Sequence, residues 1–187
     1  MASHEKLNDL LQKNNGFLKT SDAVSAGVSR TVLGDFVRKN GLERVAQGLY
    51  MSQDAWEDAL FVIQVRYPKA VFSHETALYL LNLANREPSP FSMTLRTGTN
   101  SARLSKEGIK VYKVKKSLFA LGLIETNSPS GHTLRAYNAE RTICDLSAAG
   151  ETSKFKHYRM QSKPMSSLKK KTFRCCCVML KNSRWKK

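Results

Sequence analysis

The sequence predicts an α+β fold in three parts. The first is a helical domain closed by a basic hairpin (residues 1–52). The second is a mixed α/β domain whose sheet is mostly antiparallel (53–146), and the third is an irregular basic tail (147–187). Three observations predict this order. Apolar residues recur at helical spacing as far as Val37, with glycines between the segments. Beyond Pro68, short β-rich runs appear between helical ones. After Leu146 the apolar periodicity stops.

Residues 4–13 read as a first helix, with Leu7, Leu10 and Leu11 on one side, and Asn14-Asn15-Gly16 stops it. Thr20 is placed to N-cap a short helix, SDAVSAG, whose Ala23, Val24 and Ala26 are small enough for close helix contact. Gly27 supplies a turn that favours positive φ. Ser29 caps the next helix, with Val32, Leu33, Phe36 and Val37 on one face. Arg30, Thr31, Asp35 and Arg38 fall on the other, and Ser29 and Lys39 stand at its two ends. Gly34, inside this helix, costs roughly 1 kcal/mol relative to alanine. It implies close packing or close approach to DNA. Asn40-Gly41 ends the helix, and two strand-like pieces follow around Gln47-Gly48, with imperfect alternation at Leu42 and Val45.

Helix, glycine turn, helix and basic hairpin are the parts of a winged helix-turn-helix. An α-helix fits the DNA major groove, so the polar face of the second helix is the candidate for base contacts, with Arg30 and Thr31 at its leading end. Arg44 and Gln47 on the hairpin are placed for backbone or minor-groove contacts.

Residues 54–66 carry Trp56, Ala59, Leu60 and Ile63 at helical spacing, which predicts an amphipathic helix ended by Pro68. Ser73 is placed to cap SHETALYLLNL, burying Ala77, Leu78, Leu80 and Leu81. Pro88 and Pro90 mark a loop. Strands are expected at Phe91–Arg96, Ile109–Lys113, Leu118–Glu125 and His132–Tyr137. Asn138-Ala139-Glu140 opens a helix containing Ile143, Cys144 and Leu146.

Net charge is +16, a balance that suits a polyanion partner. The charge is uneven: the tail carries twelve Lys and Arg against one acid, Glu151, so most of the excess lies there. Three of the four cysteines, Cys175, Cys176 and Cys177, are consecutive, which is not the spacing of a disulfide framework. The charged start MASHEKLNDLL lacks the apolar run of a signal peptide, and no apolar stretch is long enough for a bilayer. A cytoplasmic protein without membrane contact is expected.

Catalytic signals are weak. His74-Glu75 is the right pair for acid–base work, but a capping turn with a solvent-facing imidazole is the expected reading. Arg141 and Asp145, four apart on a helix, suit an ion pair. The sequence contains no phosphate-cradling glycine loop, no zinc-ligand spacing in residues 1–146, and no Glu-x-Lys or Asp-x-Lys of the kind metal-dependent nucleases carry. The reading is therefore no enzyme, no catalytic residue, no metal and no cofactor. A nucleic-acid-processing enzyme is the disfavoured rival.

Three segments in order, LKTSDAVSAGVSRTVLGDFVRKNGLERVAQGLYM (18–51), VFSHETALYLLNL (71–83) and YNAERTICDL (137–146), make the chain resemble the AbiEi antitoxins of abortive-infection (type IV) toxin–antitoxin systems. The resemblance spans about residues 4–146. It implies an N-terminal winged-helix domain that binds operator repeats in double-stranded DNA and represses its own operon. It also implies a second, antitoxin domain opposing a nucleotidyltransferase-like toxin that need not be touched directly. DNA contacts implied by the family fall here on Lys19–Thr20, on Arg30, Thr31 and Arg38, and on Arg44 and Gln47. A winged-helix transcriptional regulator without a toxin is the alternative.

The tail departs from the family, which continues here with amphipathic helices. Read from the third base of each codon, any Cys followed by Cys encodes leucine, because TGT and TGC shift to TTG or CTG. The triple cysteine therefore forces Leu-Leu in that frame, and permitted codons around it spell an amphipathic helix resembling the family's end. The sequence thus predicts that the gene lost frame shortly after Leu146, truncating the second domain. The nucleotide sequence decides this: an early stop in the alternative frame would refute it.

Overall fold

The computed structural model of the chain describes residues 2–150. The expected out-of-frame segment falls almost entirely on residues 151–187, outside the described residues. The described chain divides into two compact units: one from the N-terminus to Pro68 with Asn127–His132, and one of Lys69–Thr126 with the described residues from Thr133.

The first unit begins with α1 (Ala2–Lys13). Its end is closed by Asn14, whose amide donates to the Leu10 carbonyl (2.9 Å), and by Gly16, whose N–H reaches Leu11. Gly16 has φ +84°, and a Cβ there would lie 2.5 Å from the Ala55 Cβ, so only glycine fits this turn. The turn delivers β1 (Phe17–Lys19), then α2 (Thr20–Ser25), α3 (Arg30–Lys39), β2 (Glu43–Ala46) and β3 (Leu49–Met51). The three strands form an antiparallel sheet in the order β1-β3-β2. Leu7, Leu18, Ala23, Val28, Leu33, Phe36 and Leu42 make one core beneath the helices. Burying each leucine or phenylalanine contributes about 1.5–3 kcal/mol.

Two expectations for this unit are corrected. Thr20 does not cap α2. It is the first helical residue, Lys19 holds the cap position without a side-chain bond, and the Thr20 N–H pairs with the Gly48 carbonyl (2.8 Å). The wing turn thus satisfies one of the first-turn N–H donors that have no partner within the helix. The helix expected from residue 54 is the shorter α4 (Ala59–Arg66), capped by Asp58, whose carboxylate accepts from the Phe61 N–H (2.9 Å). Trp56 precedes it and is 87% exposed, so it is no part of an apolar face.

In the second unit β4 (Val71–Phe72), α5 (His74–Leu80), β5 (Ser92–Arg96), α6 (Ala102–Lys106), β6 (Lys110–Val114), α7 (Lys116–Phe119), β7 (Leu123–Asn127), β8 (Thr133–Tyr137) and α8 (Ala139–Ala148) follow in turn. The sheet order is β6-β5-β4-β8-β7. The sheet is mixed: β4 pairs antiparallel with β5, whereas β5·β6 and β4·β8 are parallel. The parallel pair β5·β6 is joined through α6, a crossover that strand patterns alone do not disclose.

The run Leu118–Glu125 is not one strand. Its first part belongs to α7, and Gly122 at φ +74° turns the chain into β7. A Cβ on Gly122 would come within 2.7 Å of the Arg141 Cβ. Nor does His74 face solvent. It is fully buried, stacked on Tyr112 with ring centres 3.5 Å apart, and its Nδ1 lies 3.1 Å from the Ser73 hydroxyl. Ser73 accepts a hydrogen bond from the Thr94 hydroxyl (2.9 Å), so its side chain serves the sheet and makes no cap bond. Asn138 does cap α8, accepting from the Arg141 N–H at 2.9 Å. Arg141 and Asp145 form the expected ion pair, buried, with Nε 2.9 Å from both carboxylate oxygens.

Candidate nucleic-acid interface

The interface is built around α3. Gly27, at φ +80°, turns the chain after α2. Val28 N–H then bonds back to the Ala23 carbonyl (3.0 Å), which fixes the direction in which α3 leaves. Ser29 is extended (φ −70°, ψ 153°) and its hydroxyl accepts from the Val32 N–H at 3.3 Å, as a cap should. From there the apolar spacing works as expected. Leu33 and Phe36 are buried, with Val32 and Val37 half-buried beside them. At the far end the Asn40 amide donates to the Phe36 carbonyl (2.9 Å). Arg38 and Lys39 in the last turn suit the negative end of the helix dipole.

The opposite face is open. Ser29, Arg30, Thr31, Asp35, Arg38 and Lys39 are all exposed. Arg38 pairs with Asp35, both largely in solvent (80% and 54% exposed). Such a pair contributes at most about 1 kcal/mol, so a phosphate can take the guanidinium over at little cost.

The wing is β2 and β3 around Gln47-Gly48. Arg44 faces Tyr50 and Ala46 faces Leu49, leaving Val45 as an extra residue on β2. This bulge is the irregularity that the imperfect alternation at Leu42 and Val45 reflects. Gly48 (φ +71°) closes the turn, and a Cβ there would lie 3.4 Å from the Thr20 hydroxyl. Lys19 and Thr20 therefore stand directly against the wing turn, although 27 positions separate Thr20 from Gln47. Gln47 is exposed at the tip. Arg44 is exposed on β2, its Nε 3.4 Å from the Ala46 carbonyl. Lys19 is half-buried, with Nζ 4.8 Å above the Phe61 ring, so its charge already has an aromatic partner. The nine residues read from sequence thus fall into two groups. Ser29, Arg30, Thr31, Arg38 and Lys39 lie on α3, and Lys19, Thr20, Arg44 and Gln47 lie on the wing and the segment beside it.

A second polar cluster lies in the same unit and was not foreseen. Asp58 accepts from the Ser128 hydroxyl and from His132 Nδ1 (2.7 Å), while His132 Nε2 lies 3.2 Å from the Asn14 carbonyl. All three side chains are buried. The imidazole stacks on Phe61 at 4.1 Å and meets Phe17 edge-on. Serine, histidine and aspartate are the residue types of a hydrolytic triad, but the connectivity is wrong for one. The Ser128 hydroxyl is aimed at the carboxylate rather than at the imidazole, and both ring nitrogens face oxygen acceptors. The cluster is an anchor for the 127–132 segment. Only Asp58, standing just before an apolar run, carried a sequence signal, that of a cap.

Residues 5–53 match the family described as "Transcriptional regulator, AbiEi antitoxin". The match falls on α1 through β3 and supports the AbiEi resemblance there. A transcriptional-regulator family implies DNA as a partner. No curated protein matches the chain. Among solved structures, the RV2827C protein from Mycobacterium tuberculosis is similar in fold, with a TM-score of 0.50 and 12% identity over 79% of this chain and 61% of that one. The chain therefore spans less than two thirds of that protein's length, and the likeness is one of fold alone. Among the described residues, no helix is long and apolar enough to cross a membrane.

Proposed function

We propose that the protein is a DNA-binding antitoxin that represses its own operon and opposes a nucleotidyltransferase-like toxin. Residues 1–52 read the operator and residues 53–146 serve the toxin-opposing role. α3 enters the major groove, with Ser29, Arg30 and Thr31 leading and Arg38 and Lys39 toward phosphates. Lys19, Thr20, Arg44 and Gln47 meet the flanking backbone. The observation that carries this reading is the coincidence of the AbiEi match, residues 5–53, with a capped helix whose free face is basic and hydroxylic.

The test is a titration of the full chain against a duplex spanning the DNA directly upstream of its own gene. Arg30→Ala should cost roughly 1–3 kcal/mol and relax sequence preference, since a guanidinium lost from a base edge removes discrimination. Arg44→Ala should weaken all sequences about equally and lower the salt slope by about one counterion. Affinity unchanged from wild type in either variant removes that residue from the interface. The antitoxin role is tested separately, by co-expression with the neighbouring nucleotidyltransferase-like gene. Growth arrest that the protein fails to relieve leaves the alternative, a winged-helix regulator without a toxin. The end of the family match at residue 53 favours that alternative as the second reading.

A further inference from the structure

Gly34 sits in the middle of α3, where glycine costs about 1 kcal/mol relative to alanine. Nothing among the described residues explains it. Its backbone is not in the left-handed region, and a Cβ placed there would have no contacting atom within 4 Å among the described residues. Gly16 and Gly122 differ on both counts: each has positive φ, and a Cβ on either would clash at 2.5 and 2.7 Å. The side of α3 that packs is taken by Leu33 and Phe36. Gly34 lies instead among Arg30, Thr31 and Arg38, which are four before, three before and four after it. On a helix these spacings put all four on one face.

The geometry points to Gly34 as the place where α3 comes closest to DNA, the missing side chain letting a base edge rest against the helix backbone. This deepens the DNA-binding reading and rests on it. A contact with a second copy of the chain would also exploit a bare backbone. A symmetric contact, however, would bring Arg30, Arg38 and Lys39 against their own copies, and like charges facing each other repel. A polyanion with hydrogen-bonding edges matches the same face without conflict. Close approach also lengthens the reach of the flanking side chains, since Arg30 and Thr31 start one turn away on the same surface.

Gly34→Ala separates the two roles of the position. The full-length variant should melt at or above the wild-type temperature, because alanine fits the helix and meets open space. Its affinity for the upstream duplex should nevertheless fall about tenfold or more, while weak salt-dependent association with unrelated duplex persists. Gly34→Leu should abolish specific binding and remain folded. If wild type binds the upstream duplex and Gly34→Ala binds it equally well, this inference is overturned and the DNA-binding reading stands. If wild type binds no duplex, both fall. If alanine changes the oligomeric state in sedimentation and leaves DNA affinity unchanged, the glycine serves a contact between copies and the inference is likewise overturned.

Discussion

Asp58→Ala is expected to destabilise the first unit by about 3–5 kcal/mol, the cost of breaking one side of a buried, hydrogen-bonded pair. Three groups lose their acceptor together: the Phe61 N–H at the start of α4, the Ser128 hydroxyl and His132 Nδ1. Burial leaves water little access to replace it. Asp58→Asn separates the contributions. It keeps the volume and an oxygen for the Phe61 N–H but removes the carboxylate, so its loss should be smaller. Denaturant melts followed by circular dichroism measure both variants. A shift below about 1 kcal/mol for Asp58→Ala would show that the cluster relaxes or hydrates and does not anchor the 127–132 segment.

Arg141→Met is expected to cost the second unit a similar amount, about 3–5 kcal/mol. The guanidinium is engaged through Nε, Nη1 and its face. Nε meets both oxygens of Asp145, Nη1 donates to the carbonyls of Leu118 (2.6 Å) and Leu121 (3.1 Å), and the group lies 4.7 Å above the Tyr137 ring. Methionine fills the space but leaves the Asp145 carboxylate buried without its cation. Burial already pushes the Asp145 carboxyl above the ordinary aspartate value, and Arg141 pulls it back. Removing Arg141 lets it rise further. A carboxyl whose folded pKa exceeds its unfolded value binds protons better when folded, so the variant should recover stability as pH falls and lose it as pH rises through the folded value. Thermal melts over a pH series measure this, and a deficit that grows on acidification contradicts the account. The double variant Arg141→Met, Asp145→Leu should recover much of the loss, since apolar replacement of a buried pair is often neutral or better.

How much of this was legible depended on the range of the interactions. α3 and α8 were read from sequence because their signals are local: Ser29 and Asn138 bond to the N–H three residues on, and the apolar faces repeat within one helix. The Arg141–Asp145 pair was legible for the same reason. β1 and β4 were not, being strands of three and two residues created by pairing with distant partners. Periodicity alone misled at Trp56, which falls at helical spacing yet precedes the cap that starts the helix. In Leu118–Glu125 the apolar run concealed Gly122, where the chain turns. At the candidate interface, the α3 face followed from spacing. The contact of Thr20 with Gly48 did not, because sheet register decides it. Asp58 and His132 stand 74 positions apart, beyond any local pattern.

That separation bears on synthesis and on fragment design. The first unit is discontinuous: its last piece, Asn127–His132, emerges from the ribosome only after most of the second unit's strands. A nascent chain that has reached Pro68 holds α1 through α4 and the Phe61 N–H, but neither Ser128 nor His132, the other two groups that meet the Asp58 carboxylate. Its final locking must wait until residue 132, a late, long-range closure of the kind that slows folding. A fragment cut at the end of the wing omits Asp58 and its cluster altogether. One cut at Pro68 keeps Asp58 and its cap bond to the Phe61 N–H but loses Ser128 and His132. The first unit thus becomes complete only after β4 through β7 of the second have been made.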